Sequence, residues 1–174
     1  MRTVESGIWA GILATGPMTM SLFAMDDALP EREQSPFPPA SLTSEFLEEV
    51  EDGPVYVTPA SRQSLSMLAH FGFGTVSGVA YSLIERNLPG SPVAKGALFG
   101  VGIWAASYLE WIPAFGLRAS AARMPARRNA MMLAAHVLWG GLLGYAENEM
   151  NKRGWQMLDG NRRAPDAEMG AEAG

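Results

Sequence analysis

The chain holds two histidines, and both sit in the same local setting: Ala69-His70 followed by Gly74 and Gly78, and Ala135-His136 followed by Gly140 and Gly144. The pattern A-H-x3-G-x3-G therefore occurs twice, 66 residues apart. Four-residue spacing sets each imidazole and its two glycines along one face of a helix. His70 and His136 each lie eight residues inside a flanking arginine, Arg62 and Arg128, and Glu110 lies as far from Arg118. At about 1.5 Å of rise per residue, the three ionisable groups fall into one layer roughly 12 Å below the ends of their helices. Four chemistries suit such a layer. Neutral imidazoles can bond a backbone carbonyl or Glu110 and fix helix register. A His-Glu site can respond to or conduct protons, because His titrates near neutrality. Two axial His ligands can hold haem b, the glycines making room for the macrocycle. A His-His-Glu set can ligate a metal. The leading expectation is the first, with no resident cofactor.

The elements that must position these residues are four stretches nearly free of charge, Gly7 to Met25, Ser64 to Ile84, Gly96 to Leu117 and Asn129 to Ala146. Mean hydropathy near zero hides this segregation, because the intervening segments are rich in Asp, Glu, Arg and Pro. Each stretch has the length a bilayer requires, since roughly 20 helical residues cover about 30 Å. A chain of 174 residues is too short to wrap four such helices in polar structure. The expectation is an all-α, four-helix transmembrane bundle over residues 1–150, with spans near 7–25, 60–84, 95–117 and 129–147. An acidic, Pro-rich extramembrane segment, 26–58, lies between the first two spans, and a polar, disordered tail occupies 151–174. Absence of cysteine excludes disulfides and thiolate metal sites. The first stretch competes with a cleaved signal peptide, but Leu22 before a cut after Ala24 is a poor cleavage signature, so a retained helix is expected.

Gly16-Pro17 predicts a kink in the first span, because Pro17 cannot donate to the carbonyl of Leu13; Thr15 and Thr19 are near enough to satisfy the freed group. The acidic segment carries a short amphipathic pattern from Ser41 to Val50. Thr58-Pro59 reads as an N-cap followed by Pro at the first helical position. Asn87-Leu88-Pro89-Gly90 ends the second span. Pro113 bends the far end of the third. The connection from Arg118 to Arg128 contains four arginines and no acid, so it can attract anionic headgroups or neutralise the acidic segment.

Gly7 and Gly11 of the first span recur as Gly96 and Gly100 of the third, 89 residues on. With the paired His-Gly-Gly stripes, this predicts that spans one and two duplicate spans three and four, the acidic segment being an insertion in the first copy. Small residues in such stripes let helix backbones approach closely in lipid, so Gly7, Gly11, Gly74, Gly78, Gly96, Gly100, Gly140 and Gly144 are the expected packing positions and both histidines should face protein. Trp9, Trp111 and Trp155 read as interface anchors, Trp104 and Trp139 as packing within the bundle.

The order of Lys95-Gly96 with Gly100, Pro113-Ala114-Phe115-Gly116-Leu117 and His136-Val137-Leu138-Trp139 resembles the YagU-like family of small bacterial inner-membrane proteins of unknown function. The likeness covers mainly the second to fourth spans, about half the chain. It implies a multi-pass protein of the bacterial cytoplasmic membrane and a loose association with acid tolerance, which a titratable His-Glu layer would suit.

No H-E-x-x-H, G-x-S-x-G, G-x-x-x-x-G-K-[ST] or usable G-x-G-x-x-G occurs, so the expectation leans away from an enzyme. The leading reading is a non-enzymatic accessory, stress-related or weakly transporting membrane protein, with both termini in the cytoplasm. Its partners are the lipid bilayer and a membrane protein or second copy, not nucleic acid. The alternatives are a haem- or metal-binding redox protein using His70 and His136, and an assembly subunit of a larger membrane complex.

Overall fold

The computed structural model describes residues 2–29, 59–107 and 125–169, the stretch 154–169 as backbone. Glu110, Trp111, Pro113, Arg118 and the amphipathic pattern at 41–50 lie outside these residues. The described elements are four α-helices with no strand among them: α1 (Arg2–Asp27), α2 (Pro59–Ile84), α3 (Pro92–Ala105) and α4 (Ala126–Met169).

Helix α1 runs on without interruption through Pro17. Its hydroxyls bond other carbonyls than the one Pro17 frees. Thr15 Oγ1 donates to the Gly11 carbonyl at 2.7 Å and Thr19 Oγ1 to that of Thr15 at 2.8 Å. This back-bonding lets polar side chains sit inside an apolar helix at no cost in unsatisfied donors. Helix α2 begins at Pro59 and closes into a single 3-10 turn, Glu85–Asn87. The chain then reverses within four residues. Gly90 takes φ +110, a backbone conformation in which a side chain would be strained, and Ser91 caps α3 by accepting from the Ala94 N–H at 3.3 Å. Pro92 occupies the first turn, where a missing N–H costs nothing.

Helix α4 corrects one expectation. The polar stretch after Gly154, read from its composition as a disordered tail, continues the helix to Met169. A helix already nucleated by packing extends cheaply. Gly154 and Gly160 each cost about 1 kcal/mol against Ala and Pro165 about 3, so the continuation owes more to propagation from the packed half of α4 than to its own composition. Lys152 to Glu149 at 3.0 Å adds an i,i+3 pair at the start of the extension.

Helix α1 packs along both α2 and α4, and α3 packs along α4, giving the spatial order α2, α1, α4, α3. The core is the α1–α4 contact. Ala10, Ala14, Met18 and Leu22, spaced by four, meet Met132, Ala135, Trp139 and Leu143. The two outer contacts are backbone crossings at glycine. A Cβ at Gly7 or Gly11 would run into the backbone at Gly78 or Gly74, and one at Gly96 or Gly100 into the backbone at Gly140 or His136.

Beside this apolar core the fold buries polar side chains and leaves large apolar ones outside. Ser66, Ser82, Thr15, His136 and Glu147 are among the buried side chains, whereas Met20, Leu68, Val76, Leu83 and Leu98 are at least 59% exposed. Two helices, Thr3–Asp27 and Gln63–Asn87, are long and apolar enough to cross a membrane, and only 39% and 28% of their apolar windows are buried inside the fold. A core helix of a soluble protein would bury most of such a window.

Candidate functional site in the bundle interior

His70 on α2 and His136 on α4 are brought together. They are electrostatic neighbours across the interior, although their helices do not pack along each other. His136 is 8% exposed, and its Nδ1 lies 2.7 Å from the Met132 carbonyl. A carbonyl oxygen only accepts, so Nδ1 carries the hydrogen and, in the neutral ring, Nε2 is the acceptor. The His70 ring stands edge-on to Phe71 at 6.3 Å, with its Nε2 out of reach of solvent. One turn before it on the same face is Ser66, fully buried, whose hydroxyl has no hydrogen-bond partner. On the α1 side of the interior, Thr15 Oγ1 accepts from Trp139 Nε1 at 3.2 Å. The local chemistry is thus imidazole, hydroxyl and indole within an apolar shell.

Glu110, the third member of the expected layer, lies outside the described residues. Among those described, no group of three or more His, Cys, Asp or Glu could hold a metal ion. The room that glycine leaves on α2 and α4 is taken up by α1 and α3, whose backbones pack against Gly78, Gly140 and Gly144 and whose Thr15 side chain packs against Gly74. That room is therefore not available to a macrocycle. Gly16, beside the proline in α1, has nothing within 4 Å of an added Cβ and belongs to no crossing.

A second polar cluster lies where α1 begins and α2 ends, and sequence reasoning missed it. Glu147 is 2% exposed. Asn151 Nδ2 donates to its Oε1, Ser6 of α1, whose hydroxyl donates to the Thr3 carbonyl at 3.0 Å, lies close by, and Glu85 and Arg86 stand near. Tyr81, 1% exposed, donates from its hydroxyl to the Pro92 carbonyl at 3.4 Å. Lys95 Nζ donates to the Glu85 carbonyl at 3.0 Å and pairs with Glu85 Oε2 at 3.5 Å. One signal was available. Glu147 follows Gly144 by three, continuing the stripe of His136, Gly140 and Gly144, and the 66-residue offset maps Tyr81 onto it. Between the two polar clusters the core is apolar, with Ala10 and Leu143 wholly buried. The interior thus presents two separate polar sites with an apolar layer between them.

No curated protein and no solved structure matches the chain. A family described as proteins of unknown function, DUF1440, matches residues 19–143, a segment that runs from Thr19 of α1 to Leu143 of α4 and takes in Ser66, His70, Lys95 and His136. That match spans well over half of the sequence, and the chain belongs to the DUF1440 family.

Proposed function

We propose that the chain is a multi-pass integral membrane protein of the bacterial cytoplasmic membrane, a bundle of four crossing helices made by duplicating a two-helix unit, with both termini cytoplasmic. Its role is non-enzymatic, accessory, stress-related or weakly transporting, and it acts through the buried His70–His136 site. The resemblance to YagU-like inner-membrane proteins agrees with this.

The observation that carries the reading is the large apolar surface left outside a core that also takes in polar groups. Thr15, Ser66, Ser82, His136 and Glu147 are buried beside the apolar core while Met20, Leu68, Phe73, Val76 and Leu98 face out. In water the exposed apolar surface would drive aggregation. In lipid it is the matched face, and close glycine contacts with internal polar bonds hold the helices together. Within the described residues, α3 and the apolar first half of α4 are the elements from which the third and fourth crossings would start. The like spacing of the glycine pairs in the sequence supports duplication, although the two crossings differ by one helical turn, Gly7 and Gly11 meeting Gly78 and Gly74 while Gly96 and Gly100 meet Gly140 and His136.

Carbonate washing of membranes containing the full chain is the test. The protein is expected in the pellet and in solution only with detergent; a folded, monodisperse species without detergent overturns the proposal. The histidine pair has its own test. The double variant His70→Leu/His136→Leu is expected to keep the detergent-solubilised fold but to lose whatever pH response the parent shows in thermal midpoint or proton flux. If both profiles stay superimposable on the parent's, the pair serves packing only.

A further inference from the structure

The α1–α2 and α3–α4 pairs carry the same glycine spacing but meet in different registers. A Cβ at Gly78 would run into the Gly7 carbonyl and the Gly11 Cα. In the second pair the equivalent atoms, the Gly96 carbonyl and the Gly100 Cα, face Gly140 and not Gly144, the residue 66 after Gly78. Gly144 faces the Pro92 carbonyl instead, and Gly100 meets the His136 carbonyl where Gly11 meets that of Gly74. The second contact is thus one helical turn out of step with the first. The repeated pattern A-H-x3-G-x3-G allows both. The partner's two glycines fit over Gly-x3-Gly, as on α2, or over His-x3-Gly, as on α4.

For α2 to take the second register against α1, His70 has to come to the place of Gly74, one turn toward the end where α1 begins. For α3 to take the first register against α4, Gly100 has to come to the place of Gly96, one turn toward its own start. Helix α3 starts where α2 ends, and that is the end where α1 begins, so the two shifts are one displacement. The turn between them, the Tyr81 hydroxyl on the Pro92 carbonyl, Lys95 on Glu85 and the Tyr81 and Phe99 rings 5.3 Å apart tie α2 to α3 and survive it. The core of Ala10, Ala14, Ala135 and Leu143 ties α1 to α4 and survives it too. Each contact takes up the register the other gives up. One side chain is in the way. Thr15 stands against Gly74 and has to turn aside for His70, which gives the step a barrier.

The same displacement accounts for Ser66. Its hydroxyl is wholly buried and unbonded, a costly arrangement in a single rigid state. Ser66 lies one turn before His70, so a shift that takes His70 to the place of Gly74 brings Ser66 to the place of His70, and a donor hydroxyl comes beside His136. We propose that α2 and α3 slide as one body along the α1–α4 pair by one helical turn, so that the two glycine contacts exchange registers and Ser66 replaces His70 beside His136. One-turn ratchets of one packed element past another, about 5.4 Å long, are an established kind of two-state switch. The inference rests on reading the His70–His136 site as the working part of the protein, and it gives the weakly transporting role a moving part. A small hydrogen-bonding solute held at His136 faces an imidazole in one state and a hydroxyl in the other.

Because the chain has no cysteine, spin labels on introduced thiols report the step without background. Met20 on α1, Leu83 on α2, Leu98 on α3 and Ala126 on α4 are all exposed. With the full chain in membranes, pulsed dipolar distances for Met20→Cys/Leu83→Cys and for Leu98→Cys/Ala126→Cys cross the sliding contact, whereas Met20→Cys/Ala126→Cys and Leu83→Cys/Leu98→Cys each lie within one body. Gly78→Ala drives the step. Its methyl is barred by the Gly7 carbonyl in the present register, but in the other it comes to the place of Ser82, which already takes a side chain. Gly140 has no such escape, since it faces Gly96 in the present register and Trp104 in the other, as Gly74 faces Thr15. In Gly78→Ala both crossing distances are expected to lengthen by about 5 Å, the one in the unsubstituted α3–α4 pair included, while the two distances within a body hold. Thr15→Ala, which clears the path, should raise the share of the longer distances in an otherwise parental chain, and it decides the matter should Gly78→Ala not fold. Crossing distances that match the parent's in every variant that folds, or lengthening of the α1–α2 distance alone, overturn the proposal. Carbonate extraction and the double histidine variant report the membrane and histidine readings separately, so each fails on its own.

Discussion

Replacing Gly140 by leucine should abolish recovery of a folded, monodisperse chain from detergent, whereas Gly102→Leu should leave yield and thermal midpoint close to the parent's. Both glycines sit inside helices, so any substitution gains helix propensity by roughly 1 kcal/mol at either place. Their surroundings differ. A Cβ at Gly140 would meet the Gly96 carbonyl and the Gly100 Cα, and Gly96 meets Gly140 in return; at Gly102 nothing lies within 4 Å. The obstacle at Gly140 is a helix backbone, which cannot swing aside as the end of a side chain can. Accommodating even one methyl requires α3 and α4 to separate along the crossing. Overpacking commonly costs about 1–3 kcal/mol, and a clash with main chain belongs at or beyond the top of that range. In a bilayer no apolar burial compensates for the lost approach, because lipid is as apolar as the side chain. Gly140→Ala should already lower the midpoint, and Gly102→Ala should hold or raise it. Equal midpoints for the two alanine variants would show that the crossing does not depend on close backbone approach.

How much of this could be seen in residue order alone differs from one residue to the next, for physical reasons. Once the long uncharged runs are read as helices, glycines four apart must share a face, so the stripes at Gly7 and Gly11 or Gly140 and Gly144 carry their geometry openly. Which stripe meets which is another matter, since any small-residue face fits any other; the pairing of α1 with α2 and of α3 with α4 follows from the fold. The equal spacing of His70 and His136 from Arg62 and Arg128 could be counted, but that the charge of one acts on the other follows only from the fold. Glu147 could not be placed that way: a carboxylate at the end of an apolar run looks the same whether it turns outward to solvent or inward to Ser6 and Asn151. The extension of α4 past Gly154 was hidden because composition reports average polarity and not the nucleated helix upstream. The bond from Trp139 to Thr15 joins residues 124 apart, and no pattern ties one indole to one hydroxyl.

Trp139→Ala should destabilise the solubilised chain by about 3–5 kcal/mol, the usual cost of emptying a buried Trp site. The residue is 3% exposed and joins both parts of the core, touching the aromatic group around Phe99 on one side and α1 on the other. Its bond to Thr15 accounts for only part of that effect. The Thr15 hydroxyl accepts from the indole at 3.2 Å while donating to the Gly11 carbonyl at 2.7 Å, so a short relay runs from α4 into the backbone of α1 beside the Gly74 crossing. Trp139→Phe keeps most of the ring and breaks the relay, at an expected cost of about 1 kcal/mol. Thr15→Val keeps the shape and strands the indole N–H in an apolar interior, at about 1–3 kcal/mol. Once the indole N–H is gone, Thr15→Val has less to lose. The double variant Trp139→Phe/Thr15→Val should therefore be more stable than the sum of the singles implies, with a coupling of about 0.5–1.5 kcal/mol in a denaturation series. Strict additivity would mean that the indole and the hydroxyl do not act on each other, leaving the α1–α4 contact to the close fit of Ala10, Ala14 and Ala135.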